Sequence, residues 1–334
     1  MAEYTANYNL ILPTDNEYYS VEDANNNAEL IDSAIKANAD GIEAAITEVE
    51  TWAKGTFSNP NLLTNGDFQV WQRGESFTLQ GAYGASKYTA DRWLATTWDT
   101  GTIIVNKESD NSLYFSYDGN LRGQIKQVLE IENTLALHNK QVTASFEIEI
   151  LSGNEQPAFA LIQHEAPGTY YANALASNGI NSTTSAVIGT PSQLAFMFTV
   201  HEPVSFRLKW VKLELGSAAT PFVPRPYGEE LALCKRYYQK ISGFFRVYGY
   251  NVNTLYTHIP IPIQMRTSPT GSVIDTSACV VWSVNRVQQS GFTFPIGSSF
   301  PTFVTIDATK TSHGLTDGYL VISGYTLQLD AEIY

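Results

Sequence analysis

"VTASFEIEI" (142–150) alternates Val142, Ala144, Phe146, Ile148 and Ile150 with Thr143, Ser145, Glu147 and Glu149. A period of two puts the apolar set on one side of an extended chain, so the stretch reads as a strand with one buried face. The same rhythm recurs on either side. "SLYFSYDG" (112–119) groups Leu113, Phe115 and Tyr117 and ends in an Asp-Gly turn, and "AFMFTV" (195–200) aligns Phe196, Phe198 and Val200. "SFRLKWVKLEL" (205–215) alternates Phe206, Leu208 and Trp210, then changes phase to Val211, Leu213 and Leu215. The phase change predicts a β-bulge, and the first phase puts Trp210 in the core. Strands of this kind, separated by turn signals, predict an antiparallel sandwich.

Downstream, "YGEELALCKRYYQKI" (227–241) spaces Leu231, Cys234, Tyr237, Tyr238 and Ile241 for one buried face of a short helix. A second β region follows. "HIPIPIQM" (258–265) alternates Ile259, Ile261 and Ile263 with two prolines, which predicts an edge strand. "ACVVWSV", "GFTFPIG" and "GYTLQLDAEIY" supply its other strands.

Upstream of residue 57 the period changes to that of a helix. Ser20 fits an N-cap, with Asp23 completing a capping box, and the periodic stretch runs to about Lys54, where Gly55 and Pro60 stop it. Heptad position a falls at Ala28, Ile35, Ile42 and Val49, and d at Ala24, Ile31, Asn38, Ala45 and Trp52. Asp32–Lys36 and Glu50–Lys54 are acid-before-base pairs at i,i+4. At about 1.5 Å per residue such a helix is roughly 50 Å long, and no neighbouring helix in the sequence can cover its stripe. Copies of itself can, and isoleucine at both a and d favours three strands. Asn38 is the polar residue in this seam; one buried amide there fixes register and oligomer state. Residues 1–19 form no periodic element. Tyr4, Tyr8, Leu10 and Leu12 make them too apolar for a free tail, so they read as an attachment arm.

Composition narrows the function. The formal charge is −13, from 20 Lys+Arg and 33 Asp+Glu. Residues 1–56 hold 11 acids and 2 bases, a balance of −9, and the rest of the chain holds 22 and 18, a balance of −4. An acidic front end does not suit nucleic acid, which selects basic surfaces. Cys234 and Cys279 form no spaced motif and read as small core residues. No signal peptide and no apolar run of membrane-spanning length is present, so no membrane insertion is expected. The five histidines lack zinc spacing, no calcium loop or phosphate loop occurs, and no nucleophile motif stands out. Asp67 in "NGDF" reads as a turn aspartate. No catalytic or metal residue is assigned.

"NYNLILPTDNEYYSVEDANNNAELIDSAI" resembles the N-terminal segment of bacteriophage tail-fibre and receptor-binding proteins, including those of phage-derived tail particles. "NLLTNGDFQVWQRGES", "YTADRWLA" and "WVKLELGSAATPFVPRPYGEELALCKRYYQKI" resemble the carbohydrate-binding-module-like jelly roll of the same proteins. The likeness covers residues 4–241; "QMRTSPT" and "LQLDAEIY" resemble the small β-domain that ends such chains. Asn38 also resembles the inward asparagines of trimeric adhesin stalks, which hold an anion on the axis. The resemblance implies a homotrimer fixed to a tail or baseplate protein by its N-terminus, located on the virion tail and binding bacterial surface polysaccharide.

The expected architecture is therefore mostly β with an N-terminal α-helical coiled coil. It comprises an arm (1–19), a trimeric stalk (20–56), a jelly-roll β-sandwich (57–225), and a short helix with a small C-terminal β-domain (226–334). Sugars stack on exposed aromatics flanked by polar groups. Trp71 and Trp93 lie in framework motifs and read as core. Trp98, in the turn-like "TTWDTG", is a glycan candidate. So are Arg246, Tyr248, Tyr250, Asn253 and Tyr256 in "FRVYGYNVNTLY", and Trp282 with Asn285 and Arg286. Two other roles compete with adhesion: a depolymerase using a carboxylate pair, and a spacer carrying a different adhesin.

Overall fold

The structure, a computed structural model, describes residues 3–4, 10–12, 20–56, 58–81, 83–153, 155–164, 169–275, 280–282, 288–313, 315 and 320–333. The chain divides into two compact units, Met1–Ser58 and Asn59–Tyr334.

In the first unit helix α1 runs over Val21–Thr56, and the Ser20 hydroxyl accepts the Asp23 amide at 3.0 Å. Ile31 is 44% exposed in the single chain, Ile35 63%, and Ile42 and Val49 62% each. Ala28, Asn38 and Ala45 are exposed beside them, as are Leu30 and Ile46 on the flanks. The side chain of Trp52 lies outside the described residues. Lys36 pairs with Asp40 at 3.0 Å and not with Asp32. On an exposed helix face the two geometries differ by only a few tenths of a kcal/mol, roughly the worth of one such pair. The Glu50 and Lys54 side chains lie outside the described residues. The arm departs from expectation: Glu3–Tyr4 and Ile11–Leu12 form a short antiparallel ladder. The Asn27 side chain accepts the Ile11 amide at 2.8 Å and donates to the Ile11 carbonyl at 3.0 Å, so it serves both backbone groups of one arm residue. Leu10 is half-buried; Tyr8 and the side chains of Tyr4 and Leu12 lie outside the described residues.

The second unit opens with a jelly-roll sandwich of two six-stranded antiparallel sheets. The first sheet orders Tyr170–Leu175, Ala158–Gln163, Leu194–Val200, Gly123–Val128, Leu94–Thr97 and Ser86–Tyr88. The second orders Gly179–Thr184, Val142–Ser152, Val204–Leu215, Leu113–Tyr117, Thr102–Lys107 and Ser76–Gln80. Between them Phe146 meets Phe159 and Phe198 edge-on at 4.8 and 4.9 Å, and Phe115 stacks on Phe206 at 4.9 Å. Trp93 is fully buried and Trp71 is 8% exposed. The motif at 61–76 is scaffold. Asn61 caps the Val204–Leu215 strand from the side, and Asn65 bonds Val70 and the Asp91 carbonyl.

The predicted bulge falls between Leu208 and Trp210. It acts one residue earlier than the sequence pattern suggests. Leu208 and Val211 point inward, whereas Trp210 turns outward, stacks on Phe222 at 4.9 Å and donates to Glu147 at 3.0 Å. Trp210 is thus not a core residue. On the same outer face Lys212 and Glu214 are buried beneath Thr220 and Pro221.

Helix α2 (Ile131–Leu135) is a single turn, and helix α3 covers only Tyr227–Lys235. The predicted continuation to Ile241 is extended instead, because Tyr238–Asn251 pairs with Leu320–Asp330 (Tyr238↔Asp330, Ile241↔Leu327) and that pairing overrides a helical spacing. Cys234 is buried in α3; Cys279 lies outside the described residues. The C-terminal sheet then adds Thr254–Pro260, Phe303–Thr309 and Ile296–Phe300 on one side, with Thr270–Asp275 and Val280–Trp282 on Leu320–Asp330. Of the stretch expected at an edge only His258–Pro260 is strand, the end of Thr254–Pro260; these residues pair in register with Phe303–Thr305, whereas Thr254–Tyr256 pairs with Tyr238–Asn251 as well. Pro260 sits at the end of that strand and Pro262 beyond it, so neither removes a needed ladder donor. "GFTFPIG" contributes one bridge, Thr293↔Thr309, before the Ile296 strand.

The chain's end locks the two β bodies together. Glu332 is buried and pairs with Arg92, whose other nitrogen donates to the Val128 carbonyl at 2.6 Å. Arg73 meets Asp330 at 3.1 Å and Glu332 at 3.3 Å. The two guanidiniums lie 3.5 Å from the Tyr237 ring (Arg92) and 3.8 Å from the Tyr238 ring (Arg73). Burial pushes the nearby Asp91 carboxyl up to about 6, against the pull of Arg73. Removing one partner of a buried pair strands the other charge, at a cost of about 3–5 kcal/mol. Glu332→Gln is therefore expected to destabilise the second unit by about that amount, measured as a lower urea midpoint for the intact chain.

Candidate functional site

The first sheet carries side chains on two faces. Phe159, Leu161, Phe196, Phe198 and Ile125 point into the sandwich. The alternate residues point out. On this outer face Val128, Ala160, Ile162, Ala195 and Met197 form one buried cluster with Tyr237 and Ile333. Adjoining it, with Ala160, Ile162 and Met197 shared between the two, is a cleft of about 410 Å³, whose lining also includes Trp98, Arg122, Gln124, Lys126, Tyr170, Asn173, Thr199 and His201.

Trp98 is half-buried here, held in orientation by a bond from its indole nitrogen to Gln124 at 3.1 Å. Gln124 in turn donates to Thr199 at 3.1 Å, so the amide is fixed at both ends. Arg122 lies over the Trp98 ring at 4.4 Å, and Tyr83 meets it edge-on at 5.0 Å. Tyr170 stands 56% exposed on the edge strand. Aromatic faces beside amides and hydroxyls are the groups that receive a sugar ring and its hydroxyls.

Asp99 fastens the loops that bear Trp98 and Arg122. One oxygen accepts the Gly101 amide at 2.8 Å and the Thr97 hydroxyl at 3.1 Å. The other accepts the Tyr117 hydroxyl at 2.7 Å and the amides of Asn120 and Leu121 at 3.0 Å each. A Cβ on Gly101 would collide with the backbone of Gly119, so the two turns close only with glycine there. Desolvation raises the Asp99 carboxyl, but these donors, Tyr117 first, outweigh it and bring it down to about 2. Tyr117 is pushed up to about 12 by burial and by its bond to Asp99.

The second group of candidates gathers on the outward face of the C-terminal sheet. Tyr248 lies opposite Tyr256 in register, with ring centres 6.0 Å apart, and Tyr250 meets Tyr256 edge-on at 6.2 Å. The row continues through His258 at 6.0 Å to Phe303, stacked at 5.5 Å, and Phe300, stacked at 4.6 Å. Two hollows flank it. One, of about 560 Å³, is lined by Tyr250, Tyr256, Thr305 and Asp307, and one of about 350 Å³ by Arg246, Tyr248 and His258. Asn253 belongs to the hairpin: its side-chain oxygen accepts the Ser312 amide at 2.8 Å. Arg286 and the Trp282 side chain lie outside the described residues.

Alternation along one strand puts Arg246, Tyr248 and Tyr250 on one face, and sequence reasoning named Tyr256 and Trp98 as candidates, but it missed Arg122, Gln124, Lys126, Tyr170 and Asn173. "GQIKQV" (123–128) did carry a signal. Gln124 and Lys126 alternate with Ile125, which marks a central strand whose outer face is polar.

No family model and no curated protein matches the chain. Among solved structures it is similar to the CBM22-1 xylan-binding domain of Xyn10C from Paenibacillus barcinonensis, at 13% identity over 49% of this chain and 100% of that one, TM-score 0.30. It is similar to TmCBM61 in complex with beta-1,4-galactotriose, at 10% identity over 47% and 99%, TM-score 0.28. A third is the enzymatically active domain of tailspike protein 4 of bacteriophage CBA120, at 13% identity over 47% of this chain and 21% of that one, TM-score 0.29.

The Asp99 carboxyl titrates below its unfolded value of about 3.9. Its contribution to stability is thus complete above that value and is lost as pH falls through about 2. Asn at this position cannot accept all the donors. Asp99→Asn is expected to lower stability at neutral pH by about 1–2 kcal/mol and to flatten the acid limb between about pH 4 and 2, both followed by thermal melts across pH.

Proposed function

We propose that this chain is a glycan-binding attachment protein of the phage tail-fibre kind, assembled as a homotrimer and without catalytic turnover. The observation that carries the reading is the cleft beside Trp98. It joins an aromatic wall, pinned through Gln124, to open hydroxyl and amide groups on a rigid sheet. The aromatic row at Tyr248, Tyr250 and Tyr256 supplies a second stacking platform on the same unit. The tail-fibre part rests on the sequence resemblance over residues 4–241, with residues 1–19 as the arm that meets a tail or baseplate protein.

Three-fold assembly is supported by α1. Its row of Ile31, Ile35, Ile42 and Val49 faces solvent in one chain, and each such side chain contributes about 1.5–3 kcal/mol when fully buried. A coiled coil of three copies buries that row and places Asn38 on the axis, where its amides hold an anion. Three linked sites raise avidity by about 10²–10⁴ with no new contact, so each can bind weakly.

Two measurements test this. Glycan-array binding of the full chain should locate a bacterial surface polysaccharide, and Trp98→Ala should weaken it at least about tenfold, the scale of one lost stacking contact. Released reducing ends during that assay would instead favour a depolymerase. Sedimentation at micromolar concentration should give three times the chain mass; Ile35→Asp with Ile42→Asp should give single chains. A wild-type chain sedimenting singly would overturn the trimer.

A further inference from the structure

Among the described residues, those lining the Trp98 cleft include Arg122, Lys126 and His201 but no aspartate or glutamate, in a chain where acids outnumber bases by 33 to 20; Glu165, between the lining residues His164 and Tyr170, lies outside the described residues. Lys126 occupies the middle of the sheet, in register with Leu94 on one side and Met197 on the other. It is half-buried, and the one charge acting on it among the described residues is Arg122. Elsewhere in this unit several sheltered bases are paired, while half-buried Arg266 bonds the Ala331 and Glu332 carbonyls and half-buried Lys310 the Ser290 carbonyl. Arg73, Arg92, Lys212, Arg225 and Arg236 each face a carboxylate. Glu155 stands at the rim, but its oxygens are taken by His201 Nδ1 at 3.1 Å and by the amides of His201 and Glu202 at 2.6 and 2.7 Å.

Two adjacent cations without counter-charge are costly to hold on a sheet surface. Burial is the larger cause and Arg122 the second, and both drive the Lys126 ammonium toward its neutral form. An anion placed between them would relieve the repulsion and replace lost solvation. General electrostatics do not supply such a preference, since a protein of net charge −13 repels polyanions.

We propose that the cleft selects acidic saccharides, with the sugar's anionic group met by Arg122 and Lys126 while its ring lies against Trp98. This rests on the reading of the cleft as a saccharide site and names the class of saccharide. Carboxylate and phosphate share the needed chemistry, and the test separates them.

The full chain is titrated calorimetrically, at low and raised salt, with oligogalacturonate, its methyl ester, poly(glycerol phosphate), and neutral xylo- and galacto-oligosaccharides. At least one acidic probe should bind about tenfold more tightly than every neutral one and weaken with salt. Preference for oligogalacturonate over its ester assigns a carboxylate, and preference for poly(glycerol phosphate) assigns a phosphate. Arg122→Gln with Lys126→Gln should weaken acidic binding at least about tenfold and remove its dependence on salt, and acidic binding that keeps its strength and its salt dependence in that variant would overturn the proposal. Lys126→Met should raise the melting temperature by about 1–3 °C, whereas a fall would make Lys126 structural and overturn the proposal. If neutral sugars bind as well as acidic ones, and Trp98→Ala abolishes that binding while the glutamine variant does not, charge selection is overturned and the saccharide site stands. If no probe and no host polysaccharide binds, both fall.

Discussion

The buried pair between Arg92 and Glu332 ties the C-terminal β body to the sandwich. Arg92 sits at a left-handed φ of 74°, a conformation costing a non-glycine residue on the order of 1–3 kcal/mol. Its guanidinium is buried against Tyr237 and reaches the Val128 carbonyl, so it presents a fixed charge at the outer face of the first sheet. Glu332, from the far end of the chain, is the carboxylate that makes this charge tolerable. Beside it Ile333 joins the buried cluster of Val128, Ala160 and Ile162, and the Tyr88 hydroxyl donates to the Ile333 carbonyl. Lys126 and Thr199, on the same outer face, are half-buried in the cleft lining.

The same economy appears at the loops. Asp99 spends both carboxylate oxygens on two neighbouring turns and holds Trp98 beside Arg122 without contributing to the cleft lining itself. On the opposite face of the sandwich, Lys212 and Glu214 are buried by a covering segment and satisfied by Thr220 and Pro221. The two outer faces therefore meet opposite ends. One is closed by paired charges, and the other keeps unpaired cations within reach of solvent.

The first unit follows a different physics. A helix of 36 residues, with Gly41 in open space midway along it and aliphatic side chains exposed, gains little from local contacts. Propensity and the Ser20 cap favour its formation, but a helix of this kind draws most of its stability from packing. Association of copies is the proposed source.

The sequence by itself determined the sandwich strands, because period-two burial in "VTASFEIEI" or "AFMFTV" is dictated by strand geometry alone. It also determined the helix start at Ser20, the presence of a bulge near Trp210, and the common face of Arg246, Tyr248 and Tyr250, beside which the hairpin register sets Tyr256. Tertiary structure decided what competing pairings settle: that "YYQKI" extends along Leu320–Asp330, that Trp210 faces Phe222, and that the strand of "HIPIPIQM" ends at Pro260. It alone gathered Trp98, Arg122 with Lys126, and Tyr170 from three separated segments into one cleft. Local spacing encodes which side of an element is apolar. It does not encode which distant carboxylate, such as Glu332, will arrive to neutralise a buried arginine.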